Sequence, residues 1–194
     1  MKLKPLTSYE SYKQSQILVS KWGSNDRLLD IKNELINTLE LTKDSFILDI
    51  GCRRGQGIRN FLQEGYKNSY GIDIGSEFIM GDKYDSHFMT CDAHDTLGFN
   101  QKYDFISIIH TLEHAYDASK ILSLVYENLN KDGIVYIVVP HGEIENSAHY
   151  FACEHINDLD DLFKSTNFKI VGKLESLKTN HTPEYAYFLK KNEE

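Results

Sequence analysis

Short apolar runs alternate with helical segments from Phe46 onward, and this alternation is the strongest constraint on the fold. The runs at 105–109 and 134–139 are nearly all apolar, as expected for central strands that are covered on both faces. Alternation of this kind is typical of βαβ units around a mostly parallel sheet. We predict strands at 46–50, 69–72, 88–91, 103–109, 134–139, 168–171 and 185–189, and helices at 58–64, 118–129 and 159–165.

The region before this alternation has the pattern of two helices. Residues 8–22 form the first helical segment, and the Gly-Ser-Asn-Asp cluster at 23–26 can end it and cap the next. The second segment repeats leucine and isoleucine at spacings of three and four, which places these residues on one helical face. We therefore expect an N-terminal helical arm or lid over 1–42, followed by one α/β domain over 43–194.

Composition and charge narrow the cellular location and the kinds of partner that we expect for this chain. Lys and Arg total 21 against 29 Asp and Glu, which gives a formal charge of −8 and no visible basic stripe. Nucleic acid is therefore disfavoured as a partner. The apolar stretches are far too short to span a membrane, so no membrane contact is expected. The three cysteines form no CxxC pair and cannot all be paired, which predicts reduced thiols in a cytoplasmic protein.

Acidic residues close three successive predicted strands. Asp49 lies just before Gly51, Asp73 follows 22 residues after that glycine, and Asp92 ends the third strand. In open parallel sheets the ligand lies beyond the carboxyl ends of the strands. A carboxylate at the first turn suits an ammonium or sulfonium centre better than a pyrophosphate, and one at the second accepts hydrogen bonds from ribose hydroxyls. Each acid alone could cap or solvate a loop, but three together predict a binding site.

From about residue 46 to residue 171, the chain resembles the class I S-adenosylmethionine-dependent methyltransferases. The resemblance implies a Rossmann-like, seven-stranded, mostly parallel sheet flanked by helices, with the last strand antiparallel. It rests on Leu48-Asp49-Ile50-Gly51-Cys52, Gly71-Ile72-Asp73, Cys91-Asp92-Ala93, Tyr103-Asp104-Phe105-Ile106, His110-Thr111-Leu112-Glu113-His114, Leu129-Asn130-Lys131-Asp132-Gly133 and Val138-Val139-Pro140.

The resemblance also implies the cofactor, S-adenosyl-L-methionine, which leaves as S-adenosyl-L-homocysteine. Gly51 and its neighbours would hold the methionine part, Asp73 the ribose and Asp92 the adenine. The cofactor residues predicted in this way are Asp49, Gly51, Cys52, Gly55, Asp73, Ile74, Asp92, Ala93 and His110.

One position departs from the family's glycine loop, which usually reads Asp-x-Gly-x-Gly-x-Gly. Arg53 stands where the middle glycine is expected. Its side chain could crowd the cofactor, or it could point outward and leave the backbone path intact. We expect the outward position, because Gly51 and Gly55 are retained.

Histidines dominate the predicted acceptor side. His110 and His114 are the candidate catalytic residues, although with Glu113 they could simply brace the loop. Imidazole and carboxylate ligands make His110, Glu113 and His114 candidates for a divalent metal, but their spacing is not diagnostic and no metal is predicted. His141, His149 and Tyr150 are predicted to bind the acceptor, with a structural role as the alternative.

These features together predict a cytoplasmic methyltransferase that acts as a monomer or homodimer. Its methyl group would pass by in-line displacement to an O or N atom of a small-molecule acceptor. Two alternatives stay open: an RNA or protein methyltransferase, and a catalytically inactive cofactor-binding module that pairs with an active partner. A nicotinamide-dependent oxidoreductase is disfavoured, because the glycine spacing is not that of a dinucleotide site.

Overall fold

The computed structural model describes residues 2–3, 27–75, 83–142, 149–176 and 184–192, and these residues build a seven-stranded sheet flanked by helices. The strands are β1 (Lys2–Leu3), β2 (Ile47–Ile50), β3 (Ser69–Asp73), β4 (Phe88–Thr90), β5 (Tyr103–Ile109), β6 (Leu129–Pro140), β7 (Phe151–Ala152), β8 (Phe168–Ser176) and β9 (Glu184–Lys191). The α-helices are α1 (Arg27–Thr38), α2 (Gln56–Gln63), α3 (Ala118–Asn128) and α4 (Asp160–Ser165), with 3₁₀ turns at Asp85–His87 and Leu112–His114.

The order of the strands creates a crevice at one edge of the sheet. The large sheet runs β4-β3-β2-β5-β6-β9-β8, with parallel pairing from β4 through β6. The chain moves outward from β2 to β4 and then returns to β5 on the other side of β2, so the topology switches direction between β2 and β5. Loops at such a switch point diverge and leave room for a ligand. Strand β9 pairs antiparallel with both neighbours, as the sequence predicted.

Two hydrophobic layers cover the faces of this sheet. On one face, α3 and α4 pack Leu122, Val125 and Phe163 against the central strands. On the other, Leu28 of α1 and Phe61 of α2 pack over the same strands. Strands β5 and β6 therefore have apolar residues on both faces, which explains their nearly unbroken apolar runs.

The predicted class of fold is confirmed, and the boundaries differ where backbone pairing extends beyond the apolar runs. Strand β6 starts at Leu129 rather than 134, because Leu129 pairs with Tyr103 across a bulge in the register that accommodates the polar residues between. The two-stranded ladder of β1 with β7 was not predicted, since two residues carry no readable period. Among the described residues, no helix has both the length and the apolar character needed to cross a membrane.

Part of the predicted arm packs against the core. Helix α1 buries Leu28 and Leu35 beside Ile47 and Ile58. Residues 4–26, which include the first predicted helix at 8–22, lie outside the described residues. The prediction of a lid therefore stays a prediction.

Candidate active site

The first wall of the crevice is the turn between β2 and α2, where two glycines are required by close packing. Gly51 has φ +80°, and a Cβ there would lie 2.0 Å from Thr111 Oγ1. Gly55 caps α2 with φ +68°, and a Cβ there would lie 2.2 Å from Phe88 Cε1. Side chains are excluded at both positions, so the main chain of this turn is bare toward the crevice.

Asp73 at the end of β3 is fixed by this turn. Its Oδ2 accepts a hydrogen bond from the Arg53 main-chain N–H at 2.9 Å, and its Oδ1 accepts one from the Gly75 N–H at 2.8 Å. Burial raises the pKa of the Asp73 carboxyl, against the opposing effect of these two donors. Each carboxylate oxygen keeps a second lone pair for a ligand hydroxyl.

Arg53 has the backbone conformation that a glycine would normally provide. Its φ is +50°, in the left-handed region, which is uncommon for a residue with a side chain. The residue is among those that line the crevice. The main-chain N–H that holds Asp73 is nevertheless in place, so the arginine preserves the path of the loop.

Asp92 is held by His94, a residue the sequence did not single out. The His94 main-chain N–H and ring Nδ1 both contact Asp92 Oδ1, at 2.9 Å and 2.6 Å. The Asp117 main-chain N–H donates to His94 Nε2 at 3.1 Å, so Nε2 is the acceptor and Nδ1 carries the proton. The ring thus connects the cap of α3 to Asp92 and sets the orientation of the carboxylate.

His110 lines the crevice and is in turn contacted by two carboxylates, Glu113 and Glu184, which do not line it. His110 Nε2 lies 3.0 Å from Glu184 Oε1, and its Nδ1 lies 3.6 Å from Glu113 Oε1. Burial opposes protonation of the imidazole, but the two carboxylates outweigh it and raise the pKa of His110 to about 9. Burial likewise disfavours the charged Glu113, yet the imidazoles of His110 and His114 lower the pKa of its carboxyl.

These residues meet at one crevice at the carboxyl ends of the parallel strands. The predicted cofactor residues that line it are Gly51, Asp73, Ile74, Asp92, Ala93 and His110, and the predicted catalytic residue His114 lines it too. Its remaining lining residues are Ile50, Arg53, Ile72, Cys91, Thr111, Ala115 and Ile121.

Three predicted cofactor residues lie behind the lining. Asp49 is buried and accepts a hydrogen bond from Ser107 Oγ at 2.7 Å, which ties β2 to β5. Cys52 is buried beneath the turn. Gly55 supports the turn from the start of α2. They shape the crevice without facing it.

The predicted acceptor residues are not brought together at the crevice. The His141 ring packs edge-on against Tyr185, and Tyr150 is buried beside Tyr116. His149 packs its ring against that of His114, with centroids 4.7 Å apart, and so stands behind the lining. Residues 143–148 of the same loop lie outside the described residues.

Sequence reasoning missed Glu184. This residue begins β9 and reaches His110 across 74 residues of chain, which no local pattern predicts. The outward direction expected for the Arg53 side chain stays a prediction. Burial and neighbouring carboxylates raise the pKa of the Cys91 thiol to about 11, well above neutral pH.

The model of the family described as "Methyltransferase domain" matches residues 24–172. The fold is also that of solved methyltransferases: the Burkholderia thailandensis 1,6-didemethyltoxoflavin-N1-methyltransferase, solved with its substrate and S-adenosylhomocysteine, superposes with a TM-score of 0.76 at 17% identity, covering 98% of this chain and 93% of that one.

Curated relatives carry a more specific name. A tRNA U34 carboxymethyltransferase of Aliarcobacter butzleri (strain RM4018) is 30% identical over 125 residues, which are 61% of this chain and 40% of that protein. One of Sulfurovum sp. (strain NBC37-1) is 21% identical over 88% of this chain and 67% of the relative. The chain thus spans well under half of the first relative. These names contradict the prediction of a small-molecule acceptor with nucleic acid as an unlikely partner, so that prediction is wrong. Net charge was a poor guide, because it says nothing about charge at the crevice.

Proposed function

Because the chain belongs to the methyltransferase domain family, as its sequence predicted, we propose that it binds S-adenosylmethionine in the crevice and transfers the methyl group to tRNA. One observation carries the cofactor assignment: a bare main-chain turn and two oriented carboxylates converge on the same crevice. Asp73 would accept from the ribose hydroxyls and Asp92 from the adenine amine, while Gly51 leaves room for the methionine part.

The tRNA acceptor is supported by the names of the curated relatives and by two basic side chains. Arg53 lines the crevice and its neighbour Arg54 is exposed, in a chain whose formal charge is −8. Positive charge placed at the crevice attracts a phosphate backbone even when the net charge is negative. Uridine 34 is the first position to examine, because it is the one in the relatives' name. A tRNA acceptor also agrees with the prediction of a cytoplasmic location.

The transfer itself depends mainly on orientation. A sulfonium is a good leaving group, so holding the acceptor atom in line with the methyl group supplies much of the rate. His110 is poorly placed as a base, because its two ring nitrogens face Glu184 and Glu113. We assign His110 to holding the crevice wall.

The proposal is tested with purified protein, S-adenosyl-[methyl-¹⁴C]methionine and total tRNA. We expect label in an acid-precipitable fraction that ribonuclease releases, and none with the Asp73→Ala variant. Label found only in small molecules or only in protein would reject the tRNA acceptor. Absence of heat on titration with either S-adenosylmethionine or S-adenosylhomocysteine would reject the cofactor assignment.

A further inference from the structure

Glu113 is a buried carboxylate whose oxygens are not hydrogen-bonded by the residues around them. The residue is 1% exposed, and within the described ranges neither of its carboxylate oxygens has a hydrogen-bond partner. The nearest imidazole nitrogens are His110 Nδ1 at 3.6 Å and His114 Nε2 at 3.9 Å, both too long for a strong hydrogen bond. A buried carboxylate without close donors is costly, so its oxygens mark a place where a further partner belongs.

Two histidines converge on this carboxylate. One ligand atom each from Glu113, His114 and His149 lies within 4.8 Å of the others. Ligands on one tetrahedral ion at bond lengths near 2.1 Å are about 3.4 Å apart, so small side-chain movements would close the set. The two rings are steeply inclined at 74°.

We propose that Glu113, His114 and His149 bind one divalent transition-metal ion. Two imidazoles and one carboxylate are a ligand set for Zn²⁺, Fe²⁺ or Mn²⁺, whereas Ca²⁺ and Mg²⁺ take oxygen ligands. The ion would neutralise the buried carboxylate, whose oxygens would become ligands. His110 is outside this set, since its Nε2 is engaged with Glu184.

The main chain already holds the ligands near one another. The Tyr150 N–H donates to the Glu113 carbonyl oxygen at 2.7 Å, which joins the loop that carries His149 to the Leu112–His114 turn. Because this hydrogen bond joins main-chain atoms, it holds Tyr150, the neighbour of His149, beside the turn without any help from the ion. Binding therefore requires little ordering of the chain.

The position of the set gives the ion a role. His114 lines the crevice while Glu113 is enclosed, so the uncovered side of the ion is the crevice side. Three protein ligands leave at least one coordination position, which an oxygen atom of the acceptor would fill. This last step rests on the proposed function; binding of the ion does not.

Calorimetric titration of untagged, chelator-treated protein with Zn²⁺ and, separately, Mn²⁺ tests the site. We expect one saturable equivalent per chain, with the affinity for the ion lowered at least tenfold in Glu113→Gln and in His149→Ala. His155→Ala is the matched control, because His155 is an exposed histidine outside the set and its loss should leave binding unchanged.

Each result decides the proposal. No saturable binding of either ion by wild-type protein would overturn it, and so would equal binding by both variants, because the ion would then lie elsewhere. Titration with S-adenosylhomocysteine shows that His149→Ala is folded, so a loss of metal binding there is not a loss of structure. A metal site without any tRNA labelling would sustain this inference while rejecting the proposed acceptor.

Discussion

The two sides of the crevice differ in how completely their polar groups are satisfied. On the cofactor side, Asp73 and Asp92 each accept two hydrogen bonds from fixed donors of the chain. On the acceptor side, the oxygens of Glu113 have no such donor among the described residues. The carboxylates of the first side are preorganised by fixed donors, whereas the oxygens of Glu113 on the second side lack them. Substitutions on the two sides should therefore have unlike consequences.

The largest expected effect is on the cofactor side, from Gly51→Ala. The new Cβ would lie 2.0 Å from Thr111 Oγ1 in a backbone with φ +80°. We expect the free energy of unfolding to fall by about 3 kcal/mol, and binding of S-adenosylhomocysteine to be lost as the turn shifts. Thermal unfolding and calorimetric titration measure the two effects.

Gly142→Ala is the matched control for that substitution. Gly142 also has a positive φ, +127°, but a Cβ there would meet no described residue within 4 Å. It should cost only backbone strain, about 1–2 kcal/mol, and leave cofactor binding intact. If both variants lost the same stability and the same affinity for the cofactor, the need for glycine at 51 would come from its backbone conformation and not from close packing.

The second prediction compares the two sides directly. Asp73→Ala removes a carboxylate that the structure orients with two main-chain donors, and we expect about 100-fold weaker binding of S-adenosylhomocysteine. His110→Ala should change the same dissociation constant by less than about threefold, because its partners are Glu113 and Glu184. If calorimetry showed a larger loss of affinity in His110→Ala than in Asp73→Ala, the cofactor would be bound on the side of His110 instead.

The third prediction, with a smaller effect, concerns a residue that orients Asp92 without lining the crevice itself. His94 does not line the crevice, but its ring holds Asp92 Oδ1 at 2.6 Å. His94→Ala should weaken binding of S-adenosylhomocysteine about fivefold, because the ring hydrogen bond that orients Asp92 is lost. His94→Asn supplies an amide donor at a similar position and should recover part of that affinity. If both variants bind alike, Asp92 does not depend on the ring.

The same contrast explains what the sequence could predict. Strand β5 was predicted at its observed bounds, because a run buried on both faces shows in the residues themselves. Asp73 and Asp92 were found because parallel strands carry their ends to one edge. The contact of His110 with Glu184 depends on where antiparallel β9 begins, and the packing around Glu113 depends on the residues that lead into β7. Tertiary packing brings these residues together, and such contacts leave no periodic pattern in the local sequence.

The smallest expected effect concerns Arg53, where this chain departs from its family. Arg53→Gly removes the side chain of a residue that lines the crevice. It retains the main-chain N–H that donates to Asp73 at 2.9 Å. The substitution relieves the backbone strain of an arginine at φ +50°, but glycine is freer in the unfolded chain, so the free energy of unfolding should change by less than about 1 kcal/mol. Binding of S-adenosylhomocysteine should stay within about threefold, since the cofactor side is built from main chain and carboxylates, while association with tRNA should weaken with the loss of one positive charge. If the variant instead bound S-adenosylhomocysteine more than tenfold more tightly, the arginine would be crowding the cofactor. The affinity of the cofactor side would then be reduced in the wild-type chain.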